Sequence, residues 1–159
     1  MLNNTIITKA CRRAIENIIS EGTTDVPLFR RAFELDLLKD QNFKNEICKI
    51  IQGAINKNQF SDLKIHKLGH VLVPKKNLSD YRKCALIDVY DEIVFLTLIL
   101  TISNEIERMR VNKSKNRVFS YRYGDFGGKI FDGKYNLTSF RETVANKTKY
   151  KKNKVVVEC

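Results

Sequence analysis

Apolar positions fall at helical spacing through the first third of the chain. Ile7, Cys11, Ala14, Ile15 and Ile18 recur every three or four residues, which predicts an amphipathic helix over 5–20. Gly22 ends it. Thr23-Thr24-Asp25 then reads as the cap of a second helix, with Pro27 in its first turn, where a missing N–H costs nothing. That helix has one apolar row of Leu28, Ala32 and Leu35, with Phe29, Phe33 and Leu37 beside it. A third helix carries Phe43, Ile47, Ile50, Ile51 and Ala54. Residues 1–60 therefore form a helical N-terminal unit.

The pattern changes over 61–159. Val71-Leu72-Val73 precedes Pro74, and Cys84-Ala85-Leu86-Ile87 follows a polar stretch from Lys75 to Lys83. This predicts a β-hairpin with a basic tip of Lys75, Lys76, Arg82 and Lys83. Asp88 suits an N-cap, with Asp91 and Glu92 in the first turn, where the helix dipole favours acid. From Ile93 to Ile102 this helix is apolar nearly all round, the pattern of a buried helix. Residues 112–135 hold four of the seven glycines and read as irregular, with a turn at Asp132-Gly133. Ser139-Phe140-Arg141-Glu142 is a capping box opening a short helix. A basic turn from Lys147 to Lys154 leads to Val155-Val156-Val157, a short terminal strand. Such a strand belongs inside a sheet, so it is either an edge strand or the start of a domain cut short. The fold class is α+β: helical unit, β-hairpin, buried helix, terminal strand.

Charge sharpens the picture. The chain has 29 Lys and Arg against 18 Asp and Glu, net +11, and the excess is uneven. Residues 1–62 carry nine basic and eight acidic residues; residues 63–159 carry twenty and ten. A basic half joined to a near-neutral half fits a polyanion bound by one face, though it also fits a solvated surface. No apolar run is long enough to span a membrane, and no signal pattern opens the chain, so a cytoplasmic protein is expected.

Short motifs add little. Cys11, Cys48, Cys84 and Cys159 form no close pair in sequence and read as reduced thiols. His66 and His70 are four apart, but Lys67 and Gly69 lie between and a strand follows, so neither is assigned a metal. Gly127-Gly128-Lys129 lacks the remainder of a phosphate loop, and Asp125-Phe126-Gly127 lacks the other kinase elements. Asp91 and Glu92 point about 100° apart on a helix, which suits capping better than shared catalysis.

Three blocks, in order, carry a resemblance. The first is Val73-Pro74-Lys75-Lys76, then Arg82, then Ala85-Leu86-Ile87-Asp88-Val89-Tyr90-Asp91-Glu92-Ile93-Val94. The second is Arg117-Val118-Phe119-Ser120-Tyr121-Arg122-Tyr123. The third is Lys154-Val155-Val156-Val157-Glu158-Cys159. From Val71 onward this order resembles the fingers region of reverse transcriptases, especially bacterial retron, group II intron and phage-defence relatives. The blocks cover roughly residues 66–159. The hairpin from Lys75 to Arg82 is longer than the family's usual tip, and Tyr121-Arg122 stands where many relatives have Tyr-Gly.

The resemblance implies an RNA-directed DNA polymerase with RNA template, DNA product and deoxynucleoside triphosphates as partners. Lys75 and Arg82 would neutralise the incoming triphosphate; Lys76, Ser120, Tyr121 and Arg122 would contact nucleic acid. Lys147, Lys151 and Lys152 offer further phosphate contacts on charge alone. It also implies that the first catalytic aspartate follows Cys159. The sequence contains no Tyr-x-Asp-Asp and no Asp-Asp pair. Two-metal nucleotidyl transfer needs such carboxylates. Mg²⁺ is thus expected in the full-length parent and not in this chain, which has no catalytic residue of its own. Two other readings stay open: a non-enzymatic basic nucleic-acid-binding module, and a ribosome- or assembly-associated protein. Coding sequence downstream of Cys159 would separate the polymerase from the module.

Overall fold

The structure, a computed structural model, describes residues 3–21, 32–75, 80–115, 118–126 and 129–149. It is a mixed helix and strand protein with two small antiparallel sheets. Two compact units divide after Ile102: Met1–Ile102 and Ser103–Cys159.

In the first unit, α1 (Asn4–Glu21) buries its predicted row: Ile7, Cys11, Ala14, Ile15 and Ile18 are all at most 1% exposed. A six-residue helix, α2 (Ala32–Leu37), follows. The capping segment expected at 23–25, with Pro27, Leu28 and Phe29, lies outside the described residues. Next, α3 (Gln41–Lys57) starts at Asp40, whose carboxylate accepts the Phe43 N–H at 2.8 Å. It ends at Asn58, in the left-handed region at φ 53°, a conformation Asn tolerates at a helix terminus. Ile47, Cys48, Ile51, Ala54 and Ile55 of α3 join the α1 row in one core. Phe43 and Ile50, expected on that apolar face, are 40% and 50% exposed.

Strands β1 (Gly69–Pro74) and β2 (Tyr81–Leu86) pair antiparallel from Gly69 opposite Leu86 to Pro74 opposite Tyr81. The predicted hairpin is present, but its tip is smaller than expected. Arg82 and Lys83 lie in β2, not in the turn. The reason is backbone pairing: Lys75 donates its N–H to the Asp80 carbonyl at 2.8 Å, carrying hydrogen bonding past Pro74, which has no donor.

Helix α4 (Val89–Met109) begins at Asp88, whose carboxylate accepts the Tyr90 N–H at 2.9 Å. Val89, Ile93, Val94 and Leu100 are buried, but Phe95, Ile99 and Ile102 are 63%, 37% and 49% exposed. The expectation of an all-round buried helix is therefore corrected. Leu96 and Leu98 are half-buried against the core, while Phe95, Ile99 and Ile102 face outward.

The second unit holds the last residues of α4, strands β3 (Tyr123–Phe126) and β4 (Lys129–Phe131), and α5 (Leu137–Thr148). The stretch expected to be irregular contains this antiparallel pair, with Tyr123 opposite Phe131 and Ile130 only 1% exposed. Helix α5 starts earlier than the Ser139 capping box predicted. Asn136 is its N-cap, and Ser139 supplies the third-position N–H that Asn136 Oδ1 accepts at 2.9 Å. The expected strand Val155–Val157 lies outside the described residues.

Candidate nucleic-acid interface

The first set of candidate residues sits on the β1–β2 hairpin. Its ladder rests on alternation: Val71, Val73, Cys84 and Leu86 are half-buried while His70, Leu72 and Ala85 are exposed. Lys75 leaves the end of β1 half exposed, with Nζ 3.7 Å from Asp80 Oδ2. A surface pair of this kind contributes between zero and about 1 kcal/mol, so Lys75 is easily released to another anion. Arg82 lies opposite Val73, is exposed, and makes no ion pair among the described residues. The hairpin thus presents Lys75 and Arg82 outward on a hydrogen-bonded backbone. Lys76 lies outside the described residues.

The second set is held differently. Glu107, in the last turn of α4, receives Arg110 Nη1 at 2.6 Å, Arg122 Nη1 at 3.0 Å and the Tyr123 N–H at 3.0 Å. Arg110 also donates to the Ser120 hydroxyl and the Tyr121 carbonyl, both at 2.6 Å. Arg122 donates its other Nη to the Val111 carbonyl and stands 5.4 Å from the centre of the Tyr135 ring. It is 2% exposed. Burial pushes the Glu107 carboxyl up, but the Tyr123 N–H and the two guanidinium groups outweigh it and hold it below the usual carboxylate value.

Of the residues grouped with Arg122 in sequence, the Ser120 hydroxyl is spent on Arg110, while the Tyr121 ring is 65% exposed. Arg122, expected to touch a template, is instead buried with its charge matched by Glu107, so it is not presented to a phosphate. Phe131, not singled out from the sequence, lies 5.4 Å from Tyr121, centroid to centroid, and is 40% exposed. Its signal was the strand preceding the Asp132-Gly133 turn, obscured by the glycines around it. Glu107 and Arg110 were likewise missed as partners, since nothing in a linear sequence pairs residue 107 with 122. Lys147 is exposed in the last turn of α5; Lys151 and Lys152 lie outside the described residues.

The second unit concentrates the charge: residues 103–159 hold fourteen Lys and Arg against six Asp and Glu, net +8. No helix among the described residues is long and apolar enough to cross a membrane. Comparison with protein families, curated proteins and solved structures finds no match to this chain.

Proposed function

We propose that this chain is the fingers portion of a bacterial reverse-transcriptase-like polymerase, contributing nucleotide and template contacts to nucleotidyl transfer. The observation that carries the reading is the hairpin followed directly by an Asp-capped helix, with Lys75 and Arg82 exposed on the hairpin. That is the order the first resembling block implies. Arg82 offers a fork for a triphosphate and Lys75 a point charge. The exposed Tyr121–Phe131 pair, in a unit of net +8, adds a stacking surface for unpaired bases. Carboxylates for two Mg²⁺ ions do not fit on this chain, which has no Asp-Asp pair, so no chemical step is assigned to it.

The same aromatic pair and charge favour a second reading, a binding module without chemistry. Titrating labelled single-stranded RNA and an RNA–DNA hybrid tests what the two share. Affinity should fall with salt, and Tyr121→Ala should weaken the single strand by about 1–3 kcal/mol. Salt-independent binding, or a Tyr121→Ala chain with unchanged affinity, would remove the nucleic-acid surface. The polymerase reading further requires that a deoxynucleoside triphosphate binds the wild-type chain more tightly than Arg82→Ala. Equal binding leaves only the module. Purified chain with Mg²⁺ and a primed template should incorporate no nucleotide.

A further inference from the structure

A cluster at the start of α4 has no part in the nucleotide or nucleic-acid contacts proposed above. His66 lies in the extended stretch between α3 and β1 and meets the first turn of α4. Its backbone N–H donates to Asp91 Oδ2 at 2.9 Å. Its ring Nδ1 is 3.2 Å from Asp91 Oδ1 and 3.8 Å from Asp88 Oδ1. One ligand atom from each of the three residues lies within 4.8 Å of the other two.

Those separations have a chemical meaning. Around a tetrahedral ion with His and carboxylate bonds of about 2.0–2.2 Å, neighbouring ligand atoms are roughly 3.4 Å apart. The 3.2 and 3.8 Å separations bracket that edge. Asp91 is fixed for the task, because the His66 N–H holds one oxygen and leaves the other toward the ring. Asp88 is fixed by its capping bond to Tyr90. His66 is 59% exposed at its side chain, so an ion has an entry path. Beside the cluster lies a groove of about 480 Å³ lined mainly by Phe60, Leu63, Leu68 and Phe95, with His66 and Asp91 as its polar side chains. A ligand with an apolar body lying there would reach the ion with one donor atom.

We propose that His66, Asp88 and Asp91 form a Zn²⁺ site with its remaining position open to water or to a ligand in the groove. One nitrogen and two carboxylate oxygens suit Zn²⁺ better than Mg²⁺, which prefers an octahedral oxygen shell, or Ca²⁺, which takes six or more oxygens.

The test is a Zn²⁺ titration of the whole chain by calorimetry, with Co²⁺ as a visible probe. One equivalent should bind, and at tenfold excess over Kd the melting temperature should rise by roughly 3–5 °C. Asp88→Asn and His66→Ala should each weaken binding at least about tenfold, the minimum seen when even an outer partner of a metal site is lost. Asp88→Asn keeps a good N-cap, so its metal-free melt should match wild type and a folding defect cannot explain its loss. If the three residues serve only as cap and anchor, the chain binds no Zn²⁺, or both variants bind it as wild type does; either result overturns the site. So does a sulfur-to-cobalt charge-transfer band, which would move the ion to the cysteines. None of these readouts involves nucleic acid, so the site stands or falls apart from the polymerase reading.

Discussion

The β1–β2 hairpin and the segment 118–123 both carry cations, and they hold them in opposite ways. On the hairpin the backbone is ordered by its own ladder, and the side chains of Lys75 and Arg82 are left exposed. In the segment 118–123 the cations do the ordering. Arg110 and Arg122 converge on Glu107 and fix Ser120, Tyr121 and Tyr123 to the last turn of α4. A strand pair can spare its side chains because its backbone donors and acceptors satisfy each other. Ser120 and Tyr121 have no strand partner among the described residues, and the Arg110 guanidinium supplies hydrogen bonds to both their carbonyls. Positive charge in a sequence is therefore two different resources, one available to a ligand and one consumed by the fold.

The largest effect that would break this contrast is expected at Arg122. Removing one member of a buried ion pair costs about 3–5 kcal/mol when the other is left unpaired; Glu107 keeps Arg110 and the Tyr123 N–H, so the lower end, about 3 kcal/mol, applies here. Arg122→Ala should lower stability by that order in a urea melt. Arg122→Lys should recover only part, because an ammonium cannot reach both Glu107 and the Val111 carbonyl in the same plane. Arg82→Ala should leave the melt unchanged. A near-wild-type melt for Arg122→Ala would mean that its charge is not structural, and the two regions would no longer differ.

Acid should act on the same network. The Glu107 carboxyl is held below its ordinary 4.5 in the folded chain, so the folded state binds its proton less readily than the unfolded state. The stability it contributes is complete above about pH 4.5 and is lost as pH falls through the folded value. Unfolding followed from pH 7 to 3 should show that loss, and Glu107→Gln should be less stable at pH 7 with a flatter acid limb. An acid limb unchanged by Glu107→Gln would place the titrating group elsewhere.

The helices and the first hairpin were legible because their signals are local: the row from Ile7 to Ile18 has period 3.6, and Val71 and Val73 alternate with exposed neighbours. Three features were not. The outward face of α4 has the same apolar letters as the buried face, and composition alone does not tell which side a neighbour covers. The β3–β4 pair is too short to show a period. The burial of Arg122 depends on Glu107, fifteen residues away. In sequence His66 is weighed only against His70 and assigned no metal, since Asp88 and Asp91 are brought to it by the fold rather than by a motif.

On the hairpin side, the contrast sharpens through function rather than stability. On the proposed polymerase reading, Arg82→Ala in a full-length protein able to extend a primer should reduce the efficiency of nucleotide incorporation roughly tenfold to a hundredfold, the value of one charge-assisted hydrogen bond. Arg82→Lys should fall between, keeping charge without the fork. Steady-state kinetics beside a thermal melt separates this from unfolding. Wild-type efficiency in Arg82→Ala would make the exposed guanidinium a solvated surface charge and nothing more.

The smallest expected effect concerns the basic end of the second unit. Lys147 is exposed in the last turn of α5, and Lys151 follows it in sequence. Each phosphate contact contributes about 0.7 to the log–log salt slope for a single strand. Lys147→Ala with Lys151→Ala should therefore reduce that slope by roughly one to one and a half, with little change in preference among sequences. Tyr121→Ala should do the reverse, weakening affinity at every salt concentration while leaving the slope in place, because stacking releases no counterions. Measuring affinity across a salt series for all three proteins tells phosphate contact from base stacking within one unit. If the double lysine variant kept the wild-type slope, these lysines would join Arg122 among the cations that no nucleic acid meets.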